Sequence, residues 1–144
     1  MHQRKLGEIV AGQELLSVDS GTLVVDAAKQ MMSRNVAALL IIDDGELTGI
    51  FTERDMLRRV VAVGRDPSKT TLADVMTQGV ISLSAERIGF EAVALMQEHG
   101  MRHVAVTGVP EKNYGIVSIR DFALSELSAF AKEIEFEEKV WTSI

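Results

Sequence analysis

Cysteine is absent from this 144-residue chain. That removes disulfides, thiolate metal sites and thiol nucleophiles at once. Aromatic residues make up 5% of the chain and proline occurs twice. The 47% hydrophobic content therefore rests mainly on aliphatic residues and methionine, enough to bury a core. Positive charge is in deficit: the net charge is −6 and no basic patch stands out. Nucleic acid is not an expected partner, because that affinity rests largely on phosphate neutralisation. No stretch approaches the length of a membrane span. Met1 to Lys5 carries basic residues but no apolar run follows, unlike a signal peptide. The expectation is a cytoplasmic protein without a membrane partner. Three scattered histidines, His2, His99 and His103, make no metal site without cysteine. No grouping of nucleophile, base and orienting acid is visible, so no enzymatic activity is expected.

What the chain has instead is a motif that occurs twice. Gly49-Ile50-Phe51-Thr52-Glu53-Arg54-Asp55 returns as Gly115-Ile116-Val117-Ser118-Ile119-Arg120-Asp121. The likeness extends outward. Val18, Leu23, Ala27, Met31, Val36, Leu39 and Ile41 match Leu83, Ile88, Ala92, Met96, Met101, Val104 and Val106 at a constant offset of 65. The offset becomes 66 at Gly49 and Gly115, so the second hairpin loop carries one extra residue. Such self-similarity defines two modules, residues 8–63 and 73–130, followed by a helical extension over 131–144. Between the modules lies Gly64 to Thr70, a polar stretch with turn chemistry. Each half is marginal alone, so one compact α/β unit with internal pseudo-two-fold symmetry is expected.

The local signals give β-α-β-β-α in each half. Ser17-Val18 reads as a short strand, and Ser20 or Thr22 as the cap of a helix over 23–34. Asn35 fits a left-handed C-cap. Residues 38–42 and 47–51 read as a hairpin around Asp43-Asp44-Gly45-Glu46, a solvated turn rather than a Mg²⁺ site. Thr52 caps a helix over 53–61. The second half repeats this with a strand over 80–83, a helix over 87–99 ended by Gly100, and a hairpin from 103–107 and 114–117. A helix starting after Ser118 runs past Leu127 and continues through Phe130, Ala131, Ile134 and Trp141, with an apolar stripe at 127, 130, 131 and 134.

Each repeated motif ends a strand and opens a helix, where free N–H groups, a hydroxyl and a carboxylate come together. Such a corner suits a nucleoside or nucleotide. The carboxylate can accept both ribose hydroxyls, and the hydroxyl with nearby N–H groups can face a phosphate. A plainer role also fits: Thr52 and Ser118 as N-caps, with Asp55 and Asp121 favoured in the first turn. Gly49 and Gly115 are harder to absorb that way, since glycine weakens a strand unless something approaches closely.

Over residues 8–130 the chain resembles a tandem cystathionine-β-synthase-type (CBS) domain pair, the Bateman module. The likeness rests on both Gly-x-x-Thr/Ser-x-x-Asp motifs, on Leu72-Ala73-Asp74-Val75-Met76-Thr77, and on His99 through Val106. The resemblance implies two clefts related by the pseudo-two-fold axis. One would use Thr52 and Asp55 with Ser82, the other Ser118 and Asp121 with Ser17. Arg102 and His103 stand where relatives place phosphate-contacting bases. Their counterparts in the first module are Ala37 and Ala38, so the two clefts are expected to differ in charge. The implied function is a regulatory module that binds AMP or another adenosine ligand (ATP, ADP or S-adenosylmethionine) and acts on a separate protein target. No obligatory cofactor is expected, and a homodimer assisted by the tail helix is. The alternative is a protein-interaction scaffold whose clefts serve structure.

Overall fold

A computed structural model describes residues 3–142. His2 and the side chain of Trp141, both weighed above, lie outside the described residues. In chain order the elements are α1 (Leu6–Val10), β1 (Ser17–Val18), α2 (Val24–Arg34), β2 (Ala38–Asp43), β3 (Glu46–Thr52) and α3 (Glu53–Met56), which winds on as a π-helical turn (Leu57–Val61). Then come α4 (Leu72–Val75), β4 (Ser82–Ser84), α5 (Gly89–His99), β5 (His103–Val109), β6 (Asn113–Ser118), a 3₁₀ turn (Ile119–Asp121) and α6 (Leu124–Thr142). Two β-α-β-β-α repeats are present, each with its own three-stranded sheet: β1-β2-β3 and β4-β5-β6. In each, the short first strand pairs parallel to the central strand and the hairpin is antiparallel.

The hairpin turns follow their residues. Asp44 and Gly45 both have positive φ, 50° and 80°, which a two-residue turn needs to match strand twist. The second loop, one residue longer, puts Glu111 and Asn113 at φ 67° and 66°. Asn35 and Gly100 end α2 and α5 in the left-handed region, as their positions imply.

Contacts divide the chain into two compact units, Glu14–Ile81 and the segment up to Gln13 together with Ser82 onward. The division cuts across the sequence repeat. The short helices α1 and α4 occupy matching places in the repeats, yet each belongs to the unit built on the other repeat's hairpin. Leu72 and Val75 of α4 are buried with Val24, Leu39, Ile41 and Phe51. Leu6 and Val10 of α1 are buried with Val104, Val106, Val117 and Phe122. Met31 and Met96 fill matching core places on α2 and α5.

The same exchange explains where two helices start. Neither Ser20 nor Thr22 caps α2. Its N-cap is Leu23, in extended backbone with no side-chain cap, because Leu23 is held in an antiparallel bridge to Thr71. The first N–H groups of α2 go instead to carbonyls of the polar stretch: Val24 to Thr70 (2.9 Å) and Val25 to Pro67 (3.0 Å). Helix α5 likewise starts at Gly89 rather than Arg87, since Ile88 is bridged to Lys5 and Gly89 N–H donates to the Arg4 carbonyl.

One predicted helix is broken. After Ser118 the chain makes only a 3₁₀ turn, extends through Phe122 (φ −107°, ψ 138°) and restarts at Leu124. Burial of the Phe122 ring causes the break. It lies edge-on to Phe130 at 5.9 Å and so close to Gly89 that a Cβ there would meet it at 2.6 Å. The Glu126 carboxylate then accepts the Ala123 N–H at 2.9 Å and caps the restart.

Candidate functional site

At the first repeated motif the strand β3 delivers Thr52 to the start of α3, and the two side chains satisfy each other's backbone. Asp55 Oδ2 accepts the Thr52 N–H (3.0 Å) and its hydroxyl (3.1 Å), while Thr52 Oγ1 accepts the Asp55 N–H (3.2 Å). This reciprocal pair is a capping box. The other oxygen, Oδ1, accepts the Thr77 hydroxyl at 3.3 Å and faces Arg59 Nε at 3.8 Å. Arg59 in turn donates to the Met76 carbonyl at 2.9 Å. The Asp55 side chain is 15% exposed.

The second motif is built the same way but less closed. Asp121 Oδ2 accepts the Ser118 N–H at 2.7 Å, and Ser118 Oγ accepts the Arg120 N–H at 3.2 Å. Asp121 is exposed. Arg4 fixes the backbone behind it, donating to the Asp121 carbonyl (2.9 Å) and to Glu126 (2.8 Å), with its guanidinium 5.8 Å from the Phe122 ring centre.

The cradle of free N–H groups expected at these corners is mostly closed from within. Glu53 and Ile119 N–H donate to the Ala37 and Arg102 carbonyls, both at 3.0 Å. With the bonds to Asp55, Thr52, Asp121 and Ser118, that leaves little for a phosphate. The physical reason is general: a backbone donor near the surface of a packed turn takes the nearest acceptor.

The motif glycines are needed for close approach, and the approaching group is the chain itself. A Cβ at Gly49 would lie 2.5 Å from Met76 Sδ, and one at Gly115 would lie 2.9 Å from Val10 Cγ2. Met76 follows α4 and Val10 ends α1, so the exchanged helices press on matching strand positions. The edge of β3 is then closed by backbone bonds between Ile50 and Thr77 (3.1 and 2.9 Å). On β6 a side chain does the same job: the Gln13 amide donates to the Ile116 carbonyl (2.8 Å) and accepts its N–H (2.9 Å). Gln13 and Arg4 carry no sequence signal in the repeat, since each acts across a long sequence separation.

Ser17 opens β1, exposed, opposite Leu40, and Ser82 opens β4, exposed, opposite Ala105. His103 opens β5 directly opposite Ser118, with exposed Arg102 just before it. In the other unit Ala38 stands opposite Thr52. Arg102, His103, Ser118 and Asp121 thus share one end of one sheet, where the other sheet offers alanines.

Asp43 is structural. Its Oδ1 accepts the Ser20 N–H (2.9 Å) and its Oδ2 the Thr48 hydroxyl (2.8 Å), tying the loop before α2 to the hairpin. These donors, Ser20 first, hold its pKa below the usual carboxylate value. Glu126 is lowered too, by the Ala123 N–H first and then by Arg4. Both groups therefore release protons more readily folded than unfolded. Their stabilisation is complete above the ordinary carboxylate range, about pH 4, and is lost as pH falls through the lowered values. Thermal melts from pH 7 to 3 at fixed ionic strength should show a falling Tm, with a shallower fall in Asp43→Asn combined with Glu126→Gln. Equal slopes would remove these two groups as the cause.

Among the described residues, no helix is long and apolar enough to cross a membrane. No group of three or more His, Cys, Asp or Glu side chains there could hold a metal ion.

Two repeats of this topology, each ending a hairpin in the same capped turn, define a tandem-repeat α/β protein. The CBS domain matches residues 6–62 and 72–126, and the chain belongs to that family. Its CBS domains are non-catalytic regulatory modules. CBSX3, a mitochondrial CBS domain-containing protein of Arabidopsis thaliana, is 35% identical over 118 residues, 78% of this chain and 56% of the relative. CBSCBSPB3 of the same plant is 32% identical over 138 residues, 89% of this chain and 25% of the relative. The chain thus spans about half of the first relative and a quarter of the second. Among solved structures, a protein with CBS domains from Burkholderia ambifaria superposes with a TM-score of 0.75 at 34% identity, covering 81% of this chain and 89% of that one. The CBS protein PAE2072 of Pyrobaculum aerophilum, complexed with AMP, has a TM-score of 0.75 at 21% identity over 89% of this chain and 98% of its own. The CBS pair of protein MJ0100, complexed with 5′-methylthioadenosine and S-adenosylmethionine, gives 0.73 at 23% over the same shares. At those last two identities the likeness shows the fold.

Proposed function

We propose that this chain is a regulatory sensor of an adenosine-containing ligand, with AMP the first ligand to test and ATP, ADP or S-adenosylmethionine as alternatives. The observation that carries the reading is the doubled corner, where a hydroxyl residue and a carboxylate three positions on end each hairpin. Relatives of the same fold are complexed with AMP and with S-adenosylmethionine. Ligand binding transmits a signal only if the ligand prefers one of two states of the protein, and the preference sets the size of the response. The responding target is a separate protein.

Exposed apolar side chains after both motifs, Leu57, Val61 and Leu124, support self-association as a homodimer. Sedimentation of the full chain tests it. A second reading, a scaffold without ligand, is favoured by the self-satisfied bonds of Thr52 and Asp55.

Equilibrium dialysis of the purified chain against AMP, ATP and S-adenosylmethionine separates the two readings, with mass spectrometry of any small molecule that co-purifies. Saturable uptake of at least one ligand is expected. Uptake of none would leave the scaffold.

A further inference from the structure

Two helical segments of this chain carry the same apolar spacing and opposite charge. In α3 and its π-helical turn, Leu57 and Val61 are 61% and 65% exposed. In α6, Phe136 and Val140 are 66% and 43% exposed. Each pair is four residues apart, so each makes one apolar ridge on its helix. The π turn keeps that spacing on one side, because its own repeat is also close to four residues. The two ridges stand at an offset of 79, and at that offset the residues beside them invert in sign. Glu53 becomes Lys132, Arg54 becomes Glu133 and Arg58 becomes Glu137. All six are exposed. Inward positions follow no such rule: Val60 is buried, and Asp55 is bonded to Thr52 and Thr77.

Helical geometry turns these spacings into sides. The residues three before and one after a ridge residue flank it on one side, and the residue four before flanks it on the other. Two helices packed antiparallel bring equal flanks together, and two packed parallel bring opposite flanks together. Antiparallel packing of one segment on the other therefore sets Arg54 and Arg58 beside Glu133 and Glu137, and Glu53 beside Lys132. Every flanking pair is then opposite in sign. Parallel packing of the same two segments sets like beside like, which repels. Both ridges are exposed in the single chain, so the copy that covers one ridge brings the other. A two-fold axis makes such a contact reciprocal and uses it twice, covering all four ridges of two chains. Pairing α6 with a second α6 would leave Leu57 and Val61 exposed. Every described residue from Glu135 to Val140 is exposed, and this stretch lies past residue 126, where the family match ends.

We propose that the far half of α6 is an arm that docks antiparallel on the Leu57–Val61 face of a second copy of this chain, Phe136 and Val140 against Leu57 and Val61, with the inverted charges fixing partner and direction. The proposal rests on the homodimer reading above and names the surfaces that make it.

The test is sedimentation equilibrium of the full chain, with a circular dichroism spectrum of every variant. The wild type is a dimer whose dissociation constant rises at least about tenfold from low to high salt, because exposed charges are screened. Arg54→Glu with Arg58→Glu sediments as a monomer, since an acidic arm then meets an acidic face. Glu133→Lys with Glu137→Lys does the same with the signs reversed. An equal mixture of the two variants returns to the dimer, because each arm again meets a face of opposite sign. A mixture of folded variants that stays monomeric overturns the docking and leaves the homodimer reading standing. So does an Arg54→Glu, Arg58→Glu chain that stays dimeric, the result expected of arms paired with each other. If a reversed chain loses its helical spectrum, Leu57→Ser and Phe136→Ser take its place. Docking requires that each weaken the dimer at least about tenfold, and a dimer unchanged in either overturns it. A wild type that is monomeric overturns the homodimer reading and the docking with it.

Discussion

Leu6→Ala should cost about 2–5 kcal/mol of stability, and the damage should surface in strands far along the chain. Leu6 is fully buried, in the core that holds Val104, Val106, Val117 and Phe122. Removing its side chain leaves a cavity beneath β5 and β6 and loosens a segment that also supplies Val10, the Gln13 bonds to Ile116 and the Arg4 clamp. Urea denaturation measures the cost. Hydrogen exchange locates it: amides of β5 and β6 should lose the most protection. A change under about 0.5 kcal/mol, typical of a surface substitution, would show that α1 does not belong to this core.

Phe51→Ala should be the most damaging change within the Glu14–Ile81 unit, at about 3–5 kcal/mol. The ring is fully buried against a cluster that includes Leu39, Ile41 and Val60, and pairs across the hairpin with Leu39. The matching residue of the second motif is Val117, also fully buried. Val117→Ala removes two methyl-sized groups, at about 0.8 kcal/mol each plus a smaller cavity. The motif thus has the same backbone plan in both halves but carries unequal packing weight. Denaturation of both variants side by side tests the ordering, and Val117→Ala proving the costlier would reverse it.

The repeat and the hairpins were legible because their signals are local. Asp44-Gly45, Asn35 and Gly100 demand particular backbone angles, and the structure places each as its residue type requires. Thr52 was legible as a cap for the same reason. The readings that failed share a cause. Ser20 and Thr22 lose the capping role because Leu23 is bridged to Thr71, a partner that local propensity cannot see. The helix after Ser118 breaks because Phe122 is drawn into a core with Phe130. Helices α1 and α4 are too short to show a period, and they exist because they are packed rather than because their residues favour helix. At the motifs the strand-to-turn corners at Thr52 and Ser118 were legible and the bonds made there were not. Glycine signalled a close approach, and the approaching groups are Met76 and Val10.

The exchange of α1 and α4 bears on how such a chain arises. A polypeptide of half this length would carry a helix that fits a hairpin other than its own, so its greasy strand would stay uncovered until an identical twin traded helices with it. Joining two such genes end to end makes that trade permanent inside one molecule. Each copy is then free to drift, as Phe51 and Val117 already have at matching places.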